Sequence, residues 1–137
     1  VAPEVAKLVQ VTKECFFKGL EQAVVGNHIS DIGRAIQQHA ESHGYGVVRE
    51  LVGHGIGMNM HEAPEVPNYV IPHFGRGARL VPGMAIAIEP MINLGTRRIR
   101  VLDDGWTCVT ADGKPSAHYE NTIFISENGP EVLTNPE

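Results

Sequence analysis

The sequence is poor in cysteine, in aromatic residues and in long apolar runs. Its 137 residues include two cysteines and only 6% aromatic side chains. Cys15 and Cys108 do not form a C-x-x-C pair, so a disulfide framework is disfavoured and two reduced, buried thiols are expected. No apolar run approaches the length of about 20 residues that spans a bilayer, so we expect no membrane partner. The reduced thiols favour a cytoplasmic protein.

Positive charge is also scarce. The chain has 11 lysines and arginines against 16 aspartates and glutamates, which gives a net charge of −5. Domains that bind nucleic acid usually carry a basic patch. The one dense basic cluster, Arg97, Arg98 and Arg100, is interpreted as an exposed strand face. We therefore expect no nucleic-acid partner.

The apolar pattern predicts two helices followed by short strands. Helical spacing runs from residue 4 to about residue 20, with Val9 in its apolar stripe, and a second helix is predicted from an N-cap at Ser30 to a stop at Gly44. The predicted strands are 47–51, 85–88, 98–102, 106–110 and 118–125. Glycine- and proline-rich residues 53–83 are predicted as loops. This order predicts an α+β domain, with two helices packed on a mostly antiparallel sheet.

The candidate chemistry lies in three segments. His54 stands between two glycines, where the main chain can approach a ligand closely, and His61 follows seven residues later. Glu89 ends an apolar strand before Pro90, and Glu120 lies in a His-Tyr-Glu-Asn-Thr segment. A carboxylate at the base of a buried strand needs a cation or a pairing partner. Imidazole with carboxylates is the ligand mixture of a hydrolytic metal site, so His54, Glu89 and Glu120 are predicted to converge.

Other chemistries fit less well. The glycine-rich turn lacks the Lys-Ser/Thr of a P-loop and the spacing of a dinucleotide fold, and no nucleophile elbow supports a catalytic serine. His61-Glu62 is not H-E-x-x-H, because Glu65 occupies the place of the second histidine. The remaining histidines are expected to pack or to form hydrogen bonds; they are His28, His39, His43 and His73.

Taken together, these motifs resemble the type I methionine aminopeptidases over essentially the whole chain. The matching segments are residues 53–62, 64–69, 82–91 (Pro-Gly-Met-Ala-Ile-Ala-Ile-Glu-Pro-Met), 104–107 (Asp-Gly-Trp-Thr) and 116–122 (Ser-Ala-His-Tyr-Glu-Asn-Thr). The resemblance implies the pita-bread fold, with residues 1–137 as the C-terminal half of the catalytic domain. The chain opens on Val1, so we expect it to begin inside a longer polypeptide, with the N-terminal half absent.

The resemblance also implies an activity and its residues. Two divalent ions (Co, Mn, Fe or Zn) would activate a water that releases the N-terminal methionine from peptides and nascent proteins. His54, Glu89 and Glu120 would be metal ligands, and Glu89 would also move protons. His61 would contact the substrate and stabilise the oxyanion, while Met60 and Trp106 would line the methionine pocket. Met60 stands where many members have phenylalanine.

One departure from the family concerns aspartates. The family site needs two on strands that precede this region, whereas Asp31 lies at a predicted helix start and the other three lie in predicted turns: Asp103, Asp104 and Asp112. We therefore expect low or no activity from these 137 residues alone, with the other half supplied by a separate chain or segment.

Two further interpretations stay open. One is a proline-directed peptidase of the same fold, although such members typically carry glycine after Glu-Pro, and Met91 follows here. The other is a non-enzymatic pita-bread module that binds peptides, which the presence of His54, His61, Glu89 and Glu120 disfavours. Type II enzymes carry a long insertion, whereas only residues 62–88 separate His61 from Glu89.

Overall fold

The computed structural model describes residues 2–49, 53–55, 62–71, 75–101, 103 and 108–133. For residues 53–55, 62–65, 101, 108 and 109 the description covers the main chain alone. Within these residues two helices come first and are followed by short antiparallel strands, so the predicted α+β class is confirmed.

The elements are short after the two helices. The helices are α1, Pro3–Gln22, and α2, Ile29–Ser42. The first five strands are β1 (Gly46–Val47), β2 (Gly53–Gly55), β3 (Glu62–Val66), β4 (Ala85–Ile88) and β5 (Met91–Asn93). The next five are β6 (Ile99–Val101), β7 (Cys108–Thr110), β8 (Ser116–His118), β9 (Asn121–Ser126) and β10 (Gly129–Val132).

Helix α1 presents one apolar stripe to the core. Its buried residues recur at spacings of three and four; they are Leu8, Val11, Thr12, Cys15, Phe16 and Gly19. The prediction that Val9 belongs to this stripe is wrong, since Val9 is 54% exposed and lies on another face of the helix. Burial raises the pKa of the Cys15 thiol to about 12, so this cysteine is an inert packing residue, as predicted.

Helix α2 begins earlier than predicted. Its N-cap is His28 rather than Ser30, and the Asp31 carboxylate accepts a hydrogen bond from the His28 N–H at 2.8 Å. The N–H groups of Ile29 and Ser30 donate to carbonyls of the 76–78 segment, at 2.9 and 3.0 Å. Because this segment satisfies those first-turn donors, Ser30 joins the helix. The predicted stop at Gly44, with φ of +79°, is confirmed.

Three antiparallel sheets follow the helices. The largest has the order β10-β9-β4-β2-β3, the second has the order β1-β5-β8, and β6 pairs with β7. The hairpin of β6 with β7 agrees with the sequence prediction. The prediction of loops throughout 53–83 is wrong, because β2 and β3 pair with each other there. The single strand predicted at 118–125 is also wrong, since it is divided at residues 119–120 between two sheets.

The core lies where the two helices pack on the sheets. Helix α1 contacts α2, β4, β5 and β8, and α2 contacts β1 and β3. The largest fully buried side chains include Phe16, Leu8, Ile36, Leu80 and Ile88. The apolar strand β4 is therefore pinned from one face, which fixes the position of its end. Neither described helix is long and apolar enough to cross a membrane.

Candidate metal centre

Two short links join the five-stranded sheet to the three-stranded sheet. Strand β4 passes into β5 through residues 89–90, and β8 passes into β9 through residues 119–120. The strands on either side of the links are paired with each other, β4 with β9 and β5 with β8. The two links therefore cross between the sheets side by side.

The pairing register brings two carboxylates together at this crossing. It is the same on both sides of the links, with the partners Ile88↔Asn121 and Met91↔His118. Glu89 consequently stands opposite Glu120. Two like charges directly opposite each other destabilise an antiparallel pair unless a cation or a proton compensates them.

An imidazole completes this group. One ligand atom from each of Glu89, His118 and Glu120 lies within 4.8 Å of the other two. His118 Nε2 is 3.9 Å from Glu89 Oε1. The Glu89 side chain is 17% exposed and that of His118 is 46% exposed, so the group is buried at its base and open at its rim. Such a shape holds ligands firmly and still admits a substrate.

The main chain of the links is fixed by neighbouring groups. Buried Asn68 donates a hydrogen bond from Nδ2 to the Glu89 carbonyl at 3.2 Å, and the Tyr119 N–H donates to the Pro90 carbonyl at 3.2 Å. The Tyr119 ring packs edge-on against Phe16 of α1, with ring centroids 5.1 Å apart. Helix packing and sheet pairing therefore set the positions of both glutamates before any ligand arrives.

The other sequence-predicted residues are only partly described. The main chain of His54 lies on β2, which pairs with β4 through Gly55 and Ile86. Its strand is thus next to the strand that ends just before Glu89, and its side chain lies outside the described part of the chain. Met60, His61 and Trp106 lie outside the described residues altogether.

His118 is the site residue that the sequence analysis missed. The signal was its spacing, since residues two apart on an extended chain point to the same face and His118 precedes Glu120 by two. The local sequence around His118 indicates no role for it beyond membership of the His-Tyr-Glu-Asn-Thr segment. His118 is close to Glu89 only because β5 pairs with β8, and the sequence alone does not reveal this pairing.

The described aspartates are engaged elsewhere. The Asp112 carboxylate accepts hydrogen bonds from the N–H groups of Thr96 (2.9 Å) and Lys114 (3.0 Å), and these bonds hold its pKa below the usual range. The His28 N–H lowers the pKa of Asp31 in the same way. Asp103 lies exposed in a turn, and Asp104 lies outside the described residues. None of the three described aspartates joins Glu89 and Glu120.

The donor set of the group suits a divalent cation. Two carboxylates and one imidazole match ions of the Zn, Mn, Fe and Co class, and a positive ion would relieve the repulsion between the opposed glutamates. The residues present thus fit a metal, on the chemistry of the donors and on their spacing.

Comparison with known proteins places the chain in a family. The model of metallopeptidase family M24 matches residues 1–127. The chain is 58% identical over 134 residues to a methionine aminopeptidase of Clostridium perfringens, covering 98% of this chain and 53% of that protein. The chain thus spans about half the length of the curated relatives it matches.

Solved structures agree with this placement. A methionine aminopeptidase from Rickettsia prowazekii superposes with a TM-score of 0.92 at 42% identity, over 98% of this chain and 54% of that one. A prolidase from Pyrococcus furiosus superposes with a TM-score of 0.72 at 23% identity, over 96% of this chain and 33% of that one, a likeness that shows the fold alone. The fold is the pita-bread fold that the resemblance implied. The chain belongs to metallopeptidase family M24.

Proposed function

We propose that this chain forms part of a methionine aminopeptidase, a metal-dependent hydrolase that removes the N-terminal methionine from peptides and nascent proteins. The observation that carries the proposal is the opposition of Glu89 and Glu120 beside His118. The 58% identity to the Clostridium perfringens enzyme supports methionine as the residue released.

Two divalent ions of the Co, Mn, Fe or Zn class would lower the pKa of a water and polarise the scissile carbonyl when bound. Glu89 and Glu120 are the proposed carboxylate ligands, and His54 is the proposed imidazole ligand, with His118 of the described group as a second imidazole within reach of the ion. Strand β2 beside β4 supports the third assignment, because it brings the His54 main chain next to the strand that delivers Glu89.

The remaining roles belong to proton transfer and substrate binding. We assign to Glu89 the transfer of a proton from the attacking water to the leaving amine, which a carboxylate performs well when one of its oxygens is held. His61 would donate a hydrogen bond to the oxyanion as charge develops there. Met60 and Trp106 would line the pocket, where a thioether and an indole suit a methionine side chain.

The chain would supply one half of the catalytic domain in this proposal. The chain spans 53% of the Clostridium perfringens relative. Because its motifs resemble those of the family's C-terminal half, we propose that residues 1–137 correspond to that half of the catalytic domain. The two aspartate ligands of the family would come from the other half. The chain alone is then expected to show low or no turnover. The expected partner is a peptide that begins with methionine, in the cytoplasm.

The test is a peptidase assay on two samples. The first is the chain itself, and the second is the chain fused behind the portion of the Clostridium perfringens relative that it does not match. Each sample is given Mn²⁺ or Co²⁺, and the release of free amino acid from Met-Ala and Ala-Pro peptides is measured.

The proposal expects the fusion to release methionine from Met-Ala, to leave Ala-Pro intact, and to lose activity on chelation. Cleavage of Ala-Pro would instead support a proline-directed peptidase. A folded fusion that binds the Met-Ala peptide and cleaves neither substrate would support a binding module.

A further inference from the structure

A second group of ligating side chains lies on the two helices, apart from the crossing of the sheets. It comprises Glu14 of α1, His39 of α2 and His43 at the C-cap of α2. One ligand atom from each lies within 4.8 Å of the other two. His39 Nε2 lies 2.8 Å from Glu14 Oε1, which is hydrogen-bond distance.

The two histidines are four residues apart, so they project from the same side of the helix end. Their rings meet edge-on with centroids 5.0 Å apart. The His43 ring is also stacked on Tyr45, with centroids 6.0 Å apart and an interplanar angle of 26°. The His43 ring therefore lies in contact with the rings of both His39 and Tyr45.

The carboxylate of Glu14 is also held. Gln10 Nε2 donates a hydrogen bond to Glu14 Oε2 at 3.1 Å, which leaves Oε1 for His39. The His39 hydrogen bond, followed by the Gln10 hydrogen bond, lowers the pKa of Glu14. All three side chains are partly exposed, so a solvated ion has access to them.

We propose that Glu14, His39 and His43 form an accessory site for a divalent transition-metal ion of the zinc class, which links α1 to α2. Two imidazoles and one carboxylate are ligands that Zn²⁺ binds with four-coordinate geometry, and three protein ligands leave one position for water. Magnesium is excluded by the same donors, because it prefers an all-oxygen shell.

The geometry needs only a small adjustment. Tetrahedral bonds of about 2.0–2.2 Å place ligand atoms roughly 3.3 Å apart. Glu14 and His39 would move apart from 2.8 Å, and the His43 ligand atom, which lies within 4.8 Å of both, would come to the same spacing. A simple ion pair between Glu14 and His39 would explain why those two side chains are close together, but it would not involve His43. A metal site involves all three side chains.

The test measures Zn²⁺ binding to the chain by equilibrium dialysis, at a pH above the pKa of free imidazole. The background carries Glu89→Gln and Glu120→Gln, so that the sheet-crossing group no longer contributes its carboxylates. Into this background His43→Gln is introduced, which leaves the Glu14–His39 pair intact. Glu41→Gln is the matched control, because it removes a carboxylate from the same helix end without removing a ligand.

The proposal expects the background protein to bind one Zn²⁺ and to gain thermal stability with it, since binding to the native state raises the midpoint of unfolding. His43→Gln should weaken the affinity about tenfold or more and remove the thermal shift. Glu41→Gln should change neither, and Mg²⁺ should have no effect.

Two results would overturn the site. One is the loss of all Zn²⁺ binding in the Glu89→Gln and Glu120→Gln background. The other is equal affinity of the His43→Gln and Glu41→Gln proteins, since the bound ion would then lie elsewhere. Neither result bears on the proposed peptidase activity, which rests on the sheet crossing.

Discussion

His118 Nε2 lies 3.9 Å from Glu89 Oε1, at the point where two strands leave one sheet and enter another. Glu89 lies on the link after β4 and His118 ends β8, and the ladder between β5 and β8 brings the two residues together. Glu120 stands opposite Glu89 through the same register. The group is therefore a product of sheet pairing, and a change that shifts this register would separate its members.

Removal of a carboxylate from this group should weaken metal binding. In a His43→Gln background, which removes a ligand of the helical group, we expect Glu89→Gln to lower the affinity of the chain for Co²⁺ about tenfold or more, because a neutral amide replaces a charged oxygen ligand. A calorimetric titration measures this. Glu131→Gln, on an exposed residue of β10, is the control and should leave the affinity unchanged. Equal affinities for the two variants would place the metal elsewhere.

Gly33 should tolerate no methyl group, although it lies inside a helix. A Cβ at Gly33 would stand 2.7 Å from the main-chain oxygens of Pro67 and Tyr69. In an open helix the change to alanine stabilises by about 1 kcal/mol, whereas overpacking costs about 1–3 kcal/mol. We expect Gly33→Ala to be destabilising in urea unfolding.

Gly19 supplies the comparison for this prediction. A Cβ there would meet the side-chain atoms of Ile36 and Ile32 at 3.0–3.1 Å, and side chains can move where main chain cannot. Gly19→Ala should therefore cost less than Gly33→Ala. A gain of stability in Gly33→Ala would contradict the close approach of α2 to residues 67–69.

Phe16 should be among the most costly side chains to truncate. It is fully buried and packs edge-on against both Phe17 and Tyr119. We expect Phe16→Ala to lower the free energy of unfolding by about 3–5 kcal/mol. Val9→Ala, on the exposed face of the same helix, should stay within about 0.5 kcal/mol of the parent. Equal losses would show that α1 does not pack as described.

Asp31 should make the stability of α2 depend on pH. The hydrogen bond from the His28 N–H, with smaller contributions from Arg76 and Arg34, lowers its pKa below the ordinary value of 3.8. A lowered pKa in the folded state stabilises the protein above 3.8, and this stabilisation is lost as the pH falls through the folded-state pKa.

Asp31→Asn should therefore cost about 0.5–1 kcal/mol near neutral pH, through the lost charge at the helix N-terminus. The difference from the parent should shrink below pH 3.8. Urea unfolding at several pH values measures it, with Asp103→Asn as the control on an exposed turn. A difference in unfolding free energy between Asp31→Asn and the parent that grows as the pH falls would contradict this prediction.

The sequence predicted those parts of the fold that depend on local pattern. Both helices, strand β4 and the hairpin of β6 with β7 follow from apolar spacing and from turn residues such as Gly44. The error at Val9 is a local one, a residue assigned to the wrong face of α1, whereas the errors in element boundaries involve partners that are distant in sequence. Ser30 lies inside α2 and is not its N-cap, because carbonyls of the 76–78 segment accept hydrogen bonds from the N–H groups of the first turn. The strand predicted at 118–125 is two strands, because its two ends pair in different sheets.

The candidate site shows the same division. Glu89 and Glu120 could be selected from sequence, since each stands in an unusual local setting. His118 required knowledge of the strand register, because 28 residues (90–117) separate it from Glu89 in sequence and the pairing of β5 with β8 brings the two side chains together. The group of Glu14, His39 and His43 was not predicted, because only the packing of α1 on α2 brings Glu14 close to His39.

The central claim is that Glu120 serves metal-dependent release of methionine. The measurement is the rate of methionine release from Met-Ala by the fusion with the Clostridium perfringens segment, after chelation and re-addition of Mn²⁺. The account predicts restored activity in the parent and in Glu131→Gln, and a loss of about a hundredfold or more in Glu120→Gln, as expected for removal of a residue that acts on the transition state. Full activity in a folded Glu120→Gln fusion would contradict it.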